Sequence, residues 1–384
     1  MKITDAKGRR TISRNADRSG HQAPSSPLIS RRGIVLGAGA AAFTGLLTAK
    51  ARAQSSPSAL VKAAQAEGKV VIYSTTDSQY SQPMFKAFTR KFGVVVEENA
   101  LATSNLYSQV IAEAAANQVR SDVVWSASTD LQMALQVAGH AQVYVSEETS
   151  ALPNWARYKD ALFATSIEPV GFAYNTRMLQ PDEVPHTYAD LARFVSESAK
   201  LQGRVATTDA EKSGLAYMLH ANDAKLNPQP YWKLIAAMGK AGAKTYVSSA
   251  NVMESVTSGE NVLATHINGS YALEIQAKNP NLRAHFLSNF TACMRVSFIN
   301  ARAPRPNAAK LLQDFMLSHE GQSILAANGL PAARGDEGSS SLRELKDITG
   351  ANVEPIKLDE TLLENIDKGK RLAFVRDWKK AIGR

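Results

Sequence analysis

The segment Lys69-Val-Val-Ile-Tyr-Ser-Thr-Thr-Asp77 decides the fold class, together with the apolar residues that repeat at helical spacing from Met84 to Phe92. Its continuous apolar run predicts a strand buried on both faces, and the repeat after it predicts an amphipathic helix. Strand, polar loop and helix therefore follow one another as in a βαβ unit. Further units begin at Val94 to Val96 and at Asp122 to Trp125, which predicts an α/β fold with doubly wound sheets.

The same pattern restarts after a long extended segment, which predicts two lobes. Two extended crossings between the lobes are expected, at about residues 167–173 and 293–299. Two crossings make the first lobe discontinuous along the chain. The predicted division is residues 54–167 and 298–384 in the first lobe and residues 168–297 in the second lobe.

Most of the formal charge of +9 lies at the amino-terminal end of the chain. Residues 1–53 contain ten Lys or Arg and two Asp, a net charge of +8, so the rest of the chain carries only +1. A nearly neutral body without a basic, aromatic surface offers little to a polyanion. We therefore expect no nucleic-acid binding.

The basic amino-terminal stretch has the three parts of a signal peptide. An apolar Gly- and Ala-rich segment, residues 33–49, precedes Ala51-Arg52-Ala53, and cleavage is expected after Ala53. The apolar segment is shorter than the roughly 20 residues of a spanning helix, so we expect no permanent membrane anchor. Ser30-Arg31-Arg32 resembles the twin-arginine export signal, and the general secretory route stays open. Export predicts a periplasmic protein.

The sequence carries no recognisable catalytic or cofactor-binding motif. Cys293 is the single cysteine, which excludes an intrachain disulfide and a cysteine-based metal cluster. There is no Gly-x-Ser-x-Gly elbow and no phosphate loop, and the seven histidines lack metal-ligand spacing. We therefore expect neither enzymatic activity nor a cofactor.

Several motifs together resemble one known family. They are Leu60-Val-Lys-Ala-Ala-Gln-Ala-Glu-Gly-Lys-Val-Val-Ile-Tyr-Ser-Thr-Thr-Asp77, Ser121-Asp-Val-Val-Trp-Ser126, Tyr174-Asn175, Gly269-Ser-Tyr-Ala272 and Leu317-Ser-His-Glu-Gly-Gln322. In order and spacing they are similar to the ferric-type branch of the extracellular solute-binding proteins of ABC importers. The resemblance implies the type II periplasmic binding fold, with two α/β lobes joined by crossing strands that close on a ligand by a hinge motion. It also implies a monomer that delivers a small molecule to a membrane permease.

The ligand of such a fold lies beyond the carboxyl ends of the strands. Hydroxyl-rich loops meet that rule in both lobes, although each residue in them can instead form a turn or cap a helix. The predicted contacts from the first lobe are Ser74, Thr75, Thr76, Ser104, Asn105, Ser126, Ser128 and Asp130. Those from the second lobe are Thr207, Asp209, Ser213, Asn268, Ser270 and Tyr271.

Hydroxyl and backbone N–H donors at helix starts suit an anion. The loop motifs also resemble those of binding proteins for phosphorylated sugars and phosphoglycerate-like compounds, so a small phosphorylated or carboxylated anion is the predicted ligand. Ferric iron is the alternative, although this branch binds it with adjacent tyrosines and the sequence has no Tyr-Tyr pair. Tyr271 with a bound anion remains open as an iron site. A second alternative is a sensory protein that presents its ligand to a membrane receptor.

Overall fold

The computed structural model describes residues 57–334, 346–347 and 350–384. The predicted signal peptide, its cleavage after Ala53 and the twin-arginine motif lie outside these residues. Within the described part of the chain, no helix is long and apolar enough to cross a membrane.

Strands and helices alternate along most of the chain. The helices are α1 (Pro57–Glu67), α2 (Ser78–Phe92), α3 (Thr103–Ala115), α4 (Thr129–Val137), α5 (Tyr188–Glu197), α6 (Gly214–Leu226), α7 (Pro228–Lys240), α8 (Ser249–Ser258), α9 (Gly269–Lys278), α10 (Pro306–Leu317), α11 (His319–Ala327) and α12 (Lys368–Ile382). The strands are β1 (Lys69–Ser74), β2 (Val95–Ala100), β3 (Val123–Ser126), β4 (Arg157–Tyr158), β5 (Leu162–Asn175), β6 (Val205–Thr208), β7 (Lys244–Tyr246), β8 (Leu263–Asn268), β9 (Leu282–His285), β10 (Asn289–Ile299) and β11 (Asn352–Pro355).

The strands form a connected sheet in the order β2-β1-β3-β10-β5-β8-β6-β7. We call β1, β2, β3 and β10 with their helices the first lobe, and β6, β7 and β8 with theirs the second lobe. Within the first lobe β1 is parallel to β2 and β3, and within the second β6 is parallel to β7 and β8. The predicted two-lobed α/β fold is confirmed. Because β10 runs antiparallel to β3 and β5, and β5 runs antiparallel to β8, however, the sheet is mixed and not wholly parallel.

The segment that decides the fold class packs as its pattern predicts. Val70 and Ile72 of β1 are fully buried and belong to one apolar cluster with Met84 and Phe88 of α2. Helix α2 then ends at Gly93, whose φ of +71° is the left-handed conformation that closes many helices. Because β1 and α2 pack against each other, the loop between them is fixed at the carboxyl end of the strand.

Strand β5 joins the two lobes. Its residues 163–169 pair with β10, whereas residues 170–175 pair with β8 and β9. On the return path β9 still pairs with the second-lobe half of β5, and β10 pairs with the first-lobe half from Ala292 onward. The return crossing therefore falls between residues 285 and 292, earlier than predicted, because the apolar pattern of β10 does not show which part of β5 it will pair with.

The carboxyl-terminal helix packs on a different lobe from the one that the predicted division gives it. Trp378 and Ile382 of α12 are buried in the second-lobe cluster that contains Leu234 and Met238 of α7. At Gly239 an added Cβ would lie 2.3 Å from the Ala381 carbonyl oxygen, so the two helix backbones touch. The assignment of residues 298–384 wholly to the first lobe therefore misses α12, because an apolar helix face does not specify its partner.

Candidate ligand-binding cleft

A cleft of about 510 Å³ lies between the two lobes. It is bordered by the loops that follow β1 and β2 in the first lobe and β6, β7 and β8 in the second. Each of these loops leads into a helix, so the starts of α2, α3, α6, α8 and α9 surround the cleft. The convergence follows from the parallel strands, which place their carboxyl ends at one edge of a sheet.

Eight of the fourteen predicted contact residues border this cleft. They are Ser74, Thr75, Thr76, Ser104, Asn105, Ser213, Asn268 and Tyr271. The residues that do not border it are Ser126, Ser128, Asp130, Thr207, Asp209 and Ser270. Contact of the first group with a ligand stays a prediction, whereas the second group lies behind the cleft wall, where all but Ser270 form hydrogen bonds through their side chains.

Three of the residues behind the wall serve the turn into α4. The Ser126 hydroxyl accepts a hydrogen bond from the Ser128 backbone N–H at 3.2 Å. The Ser128 hydroxyl in turn donates to Asp130 at 3.1 Å, and the Leu131 N–H donates to the same oxygen at 2.8 Å. Burial raises the pKa of Asp130 to about 6, although these hydrogen bonds and the charge of Arg371 oppose the rise.

The other three lie in the second lobe. Thr207 donates to the Thr265 carbonyl oxygen at 3.1 Å, and Asp209 forms an ion pair with Arg384 at 2.7 Å. Burial opposes the charge on Asp209, yet Arg384 and two backbone N–H groups hold the pKa of that carboxyl below its usual value. The buried hydroxyl of Ser270 has no hydrogen-bond partner among the described residues. The sequence showed that these residues lie near the loops, but it did not show which way their side chains point.

The helix starts around the cleft differ in their capping. Asp77 and Ala102 are the N-caps of α2 and α3, and neither side chain accepts a hydrogen bond from its helix. Ser213, Ser248 and Asn268 are the N-caps of α6, α8 and α9, and each side chain accepts a backbone N–H of the first turn. Uncapped first turns need another acceptor, such as water or a ligand.

A buried ion pair forms the floor of the cleft. Arg295 of β10 donates to Glu168 of β5 from Nε and from Nη2, each at 3.0 Å. Its Nη1 donates to Thr76 Oγ1 at 2.9 Å, and Nη2 also donates to the Tyr271 hydroxyl at 3.3 Å. Burial disfavours the charged guanidinium, but the charge and hydrogen bonds of Glu168, together with Tyr271, more than offset burial and raise the pKa of Arg295 above its usual value.

The residues around this ion pair connect the two lobes. Asn268 donates to Glu168 with its amide nitrogen while its oxygen caps α9, and Ser166 donates to Glu168 at 2.6 Å. The ring of Tyr271 from α9 stacks on that of Tyr80 from α2, with centroids 4.1 Å apart. Burial raises the pKa of both phenols, and Glu274 adds to the rise at Tyr80.

Sequence reasoning missed Arg295 and Glu168. Both stand within extended apolar segments, Glu168 in the first crossing and Arg295 in the strand that returns to the first lobe. Charged residues are almost never fully buried unless they are paired, so one charge of each sign in two neighbouring buried strands was the available signal. Cleft residues of the short loops, such as Asp77, Lys212 and Ser248, were also missed, because the exact length of each loop decides which side chains face inward.

Metal-ligand groups are sparse in this region. The described residues contain no cluster of three His, Cys, Asp or Glu side chains that could hold a metal ion. The stacked Tyr80 and Tyr271 bring together two phenols that are far apart in sequence, but Arg295 already donates to the Tyr271 hydroxyl.

The chain belongs to the family of bacterial extracellular solute-binding proteins, whose model matches residues 83–335. A comparison with curated proteins gives no match. The family assignment agrees with the resemblance of the sequence motifs to solute-binding proteins.

Solved structures show the same fold. The substrate-binding protein of an ABC transporter from Agrobacterium tumefaciens superposes with a TM-score of 0.76 at 27% identity, covering 82% of this chain and 94% of that one. Iron-bound HitA from Pseudomonas aeruginosa has a TM-score of 0.66 at 20% identity, with 81% and 99% covered. AfuA from Actinobacillus pleuropneumoniae, with fructose-6-phosphate bound, has a TM-score of 0.64 at 20% identity, with 82% and 99% covered.

Proposed function

We propose that this protein captures a small organic anion, phosphorylated or carboxylated, in the periplasm and delivers it to the permease of an ABC importer. The family supports solute binding outside the cytoplasmic membrane, and the similarity to an ABC transporter's substrate-binding protein supports delivery to a permease. Export through a cleaved signal peptide, a monomeric state, and closure of the two lobes on the ligand are parts of the same proposal.

The observation that carries the anion is the pair of uncapped helix starts in the first lobe. The first turns of α2 and α3 border the cleft, and neither N-cap side chain accepts their backbone N–H groups. Such N–H groups, at the positive end of a helix dipole, are an established binding site for phosphate and carboxylate groups. Similarity to AfuA with a sugar phosphate bound supports a phosphorylated compound in particular.

Full charges in and behind the cleft do not by themselves select an anion. Glu168 offsets Arg295 at the floor, and the exposed Asp77 and Lys212 at the border carry opposite charges. The attraction therefore rests on directed N–H and O–H donors, which discriminate by geometry more than by net charge.

A thermal-shift screen of the purified protein tests the proposal. The panel contains sugar phosphates, phosphoglycerates, dicarboxylates, polyamines and ferric iron with and without a synergistic anion. A ligand at one hundred times its dissociation constant adds about 2.7 kcal/mol to the free energy of unfolding, which shifts the melting temperature by several degrees. A shift with organic anions supports the proposal, and a shift with polyamines alone contradicts it. Turnover of a bound compound would instead support an enzyme.

Ferric iron is the second candidate, because Tyr80 and Tyr271 stack on each other beside the cleft. Iron binds phenolate, and burial makes that form costly for both tyrosines, which raises their pKa values. If iron is the ligand, Tyr271→Phe abolishes its visible phenolate charge-transfer band. If an organic anion is the ligand, no such band develops in the wild type when iron is added.

A sensory role differs from import only in the partner. Uptake of a radiolabelled ligand into cells with and without this protein separates the two, since an importer component is required for uptake and a sensory protein is not.

A further inference from the structure

Three hydrogen-bond donors without a described acceptor lie together on the floor of the cleft. A guanidinium group carries five N–H bonds and no acceptor. In Arg295 two of them go to Glu168, one to Thr76 and one to Tyr271. The fifth, on Nη1, has no acceptor among the described residues, although Arg295 borders the cleft.

The same guanidinium constrains the hydroxyl groups of Thr76 and Tyr271. Both oxygens accept a hydrogen bond from Arg295, so both hydroxyl protons must turn away from it. In the described part of the chain neither hydroxyl donates to another residue. Both side chains border the cleft while being almost fully buried, at 2% and 7% exposure, and Tyr271 also borders a second cavity beside Tyr80.

We propose that Arg295, Thr76 and Tyr271 form a cradle of three donors that holds a deprotonated oxygen of the ligand, and that Glu168 positions Arg295. The inference rests on the proposed function and deepens it, because it names the ligand group that the cleft floor accepts. That group is an oxyanion without a proton, such as a phosphate or carboxylate oxygen.

Glu168 fixes the direction of the cradle. Its two oxygens hold the Nε and Nη2 side of the guanidinium, which leaves the Nη1 side for the cleft. Ser166 and Asn268 hold Glu168 in turn. A buried donor that meets another donor is left unsatisfied, so three donors that point at one place favour an oxygen that only accepts and disfavour an ammonium group there.

Substitutions that remove one hydroxyl group of the cradle at a time test the inference. Calorimetric titrations with 3-phosphoglycerate, glucose 6-phosphate and malate are made on the full chain and on Thr76→Val and Tyr271→Phe. We expect each substitution to weaken the binding of the recognised anion about tenfold or more, the effect of one charge-assisted hydrogen bond. Thr76→Ser, which keeps the hydroxyl, weakens it less than about threefold.

Thr291→Val is the matched control. Thr291 lies on the same strand as Arg295, is buried, has a hydroxyl without a described partner, and does not border the cleft. Its substitution is expected to leave binding unchanged. Circular dichroism and unfolding without ligand establish that each variant is folded, and the Val and Ser variants of Thr76 decide the question if Tyr271→Phe does not fold.

The outcomes separate this inference from the proposed function. If an anion binds the wild type and also binds Thr76→Val within about twofold, the cradle is wrong and the proposed function stands. If no anion of the three binds the wild type at millimolar concentration, both are wrong. Glucose is titrated as the uncharged counterpart of glucose 6-phosphate. If the two bind equally tightly, the phosphate adds nothing to binding, and both the cradle and the proposed anionic ligand are wrong.

Discussion

The two lobes prepare their helix starts for the cleft in opposite ways. In the second lobe, Ser213, Ser248 and Asn268 cap their own helices, so first-turn N–H groups already have protein acceptors. In the first lobe, α2 and α3 begin without such a cap at the same cleft. Since each helix start leaves up to four N–H groups without intrahelical partners, and each of these caps accepts one or two, the first lobe retains binding capacity that the second has partly used.

This difference suggests a division of labour between the lobes. If the proposed anion binds, the backbone donors of α2 and α3 gain most from it, because no N-cap side chain accepts from them. The N-cap side chains of the second lobe are held in place by their hydrogen bonds to their own helices. One of them, Asn268, also donates to Glu168 at the floor of the cleft. Under the proposed closure, the second lobe would enclose the ligand with helix starts that are already capped.

Loss of the Asn268 side chain should have the largest effect on the second lobe. Asn268→Ala removes the cap of α9 and leaves Glu168 with one hydrogen-bond donor fewer in a buried site. We expect the free energy of unfolding to fall by about 2 to 4 kcal/mol. Ser248→Ala removes only a cap and should cost about 1 kcal/mol. Urea unfolding measures both, and equal losses would show that Asn268 acts on α9 alone.

A helix start away from the cleft sharpens the comparison. Helix α4 belongs to the first lobe, but the N–H of Leu131 in its first turn already has an acceptor, the Asp130 carboxylate of the same helix. Burial raises the pKa of that carboxyl to about 6. A raised carboxyl pKa means that the folded state binds the proton more tightly than the unfolded state. The contribution of Asp130 to the free energy of unfolding is therefore fully present below about pH 4 and is lost as the pH rises through about 6.

Asp130→Asn removes that pH dependence. From pH 4 to pH 7.5, the free energy of unfolding of the variant should rise relative to the wild type by about 1 to 3 kcal/mol. Asn keeps an oxygen for the Leu131 N–H, so the helix start is preserved. Asp182→Asn, at an exposed position, is the control and should show no such rise. A difference independent of pH would mean that the Asp130 carboxyl titrates normally.

The fold was predictable from sequence because burial on both faces leaves a direct mark. The apolar run of β1 and the helical repeat of α2 each record a local environment, and the hydroxyl loops between them follow from that order. The same reasoning brought Ser74, Thr76 and Tyr271 to the cleft border.

Side-chain direction and long-range pairing were not predictable in this way. Ser126 and Ser128 follow β3 as the rule for such loops requires, yet they turn into hydrogen bonds within the loop, an alternative that short polar side chains always have. The pairing of Arg295 with Glu168 joins residues 127 positions apart, and although opposite charges in two apolar segments hint at a pair, a single sequence does not give the strand register that brings them together.

The smallest predicted effect tests the comparison most directly, by giving the first lobe a cap like those of the second. Ala102 has the extended backbone of an N-cap, with φ of −68° and ψ of 149°, but a methyl side chain. Ala102→Thr adds a hydroxyl acceptor, and Ala102→Val adds the same bulk without one. The free energy of unfolding of the Thr variant should be about 0.5 to 1 kcal/mol higher than that of the Val variant.

Ligand binding should respond in the opposite direction. The hydroxyl introduced by Ala102→Thr would compete with an anion for the N–H groups of α3, so this variant should bind the recognised anion about three- to tenfold more weakly than Ala102→Val. Calorimetric titration of the isosteric pair measures the difference while the steric change cancels. Equal affinities would mean that the start of α3 does not hold the anion, and that the capping difference between the lobes serves stability and not recognition.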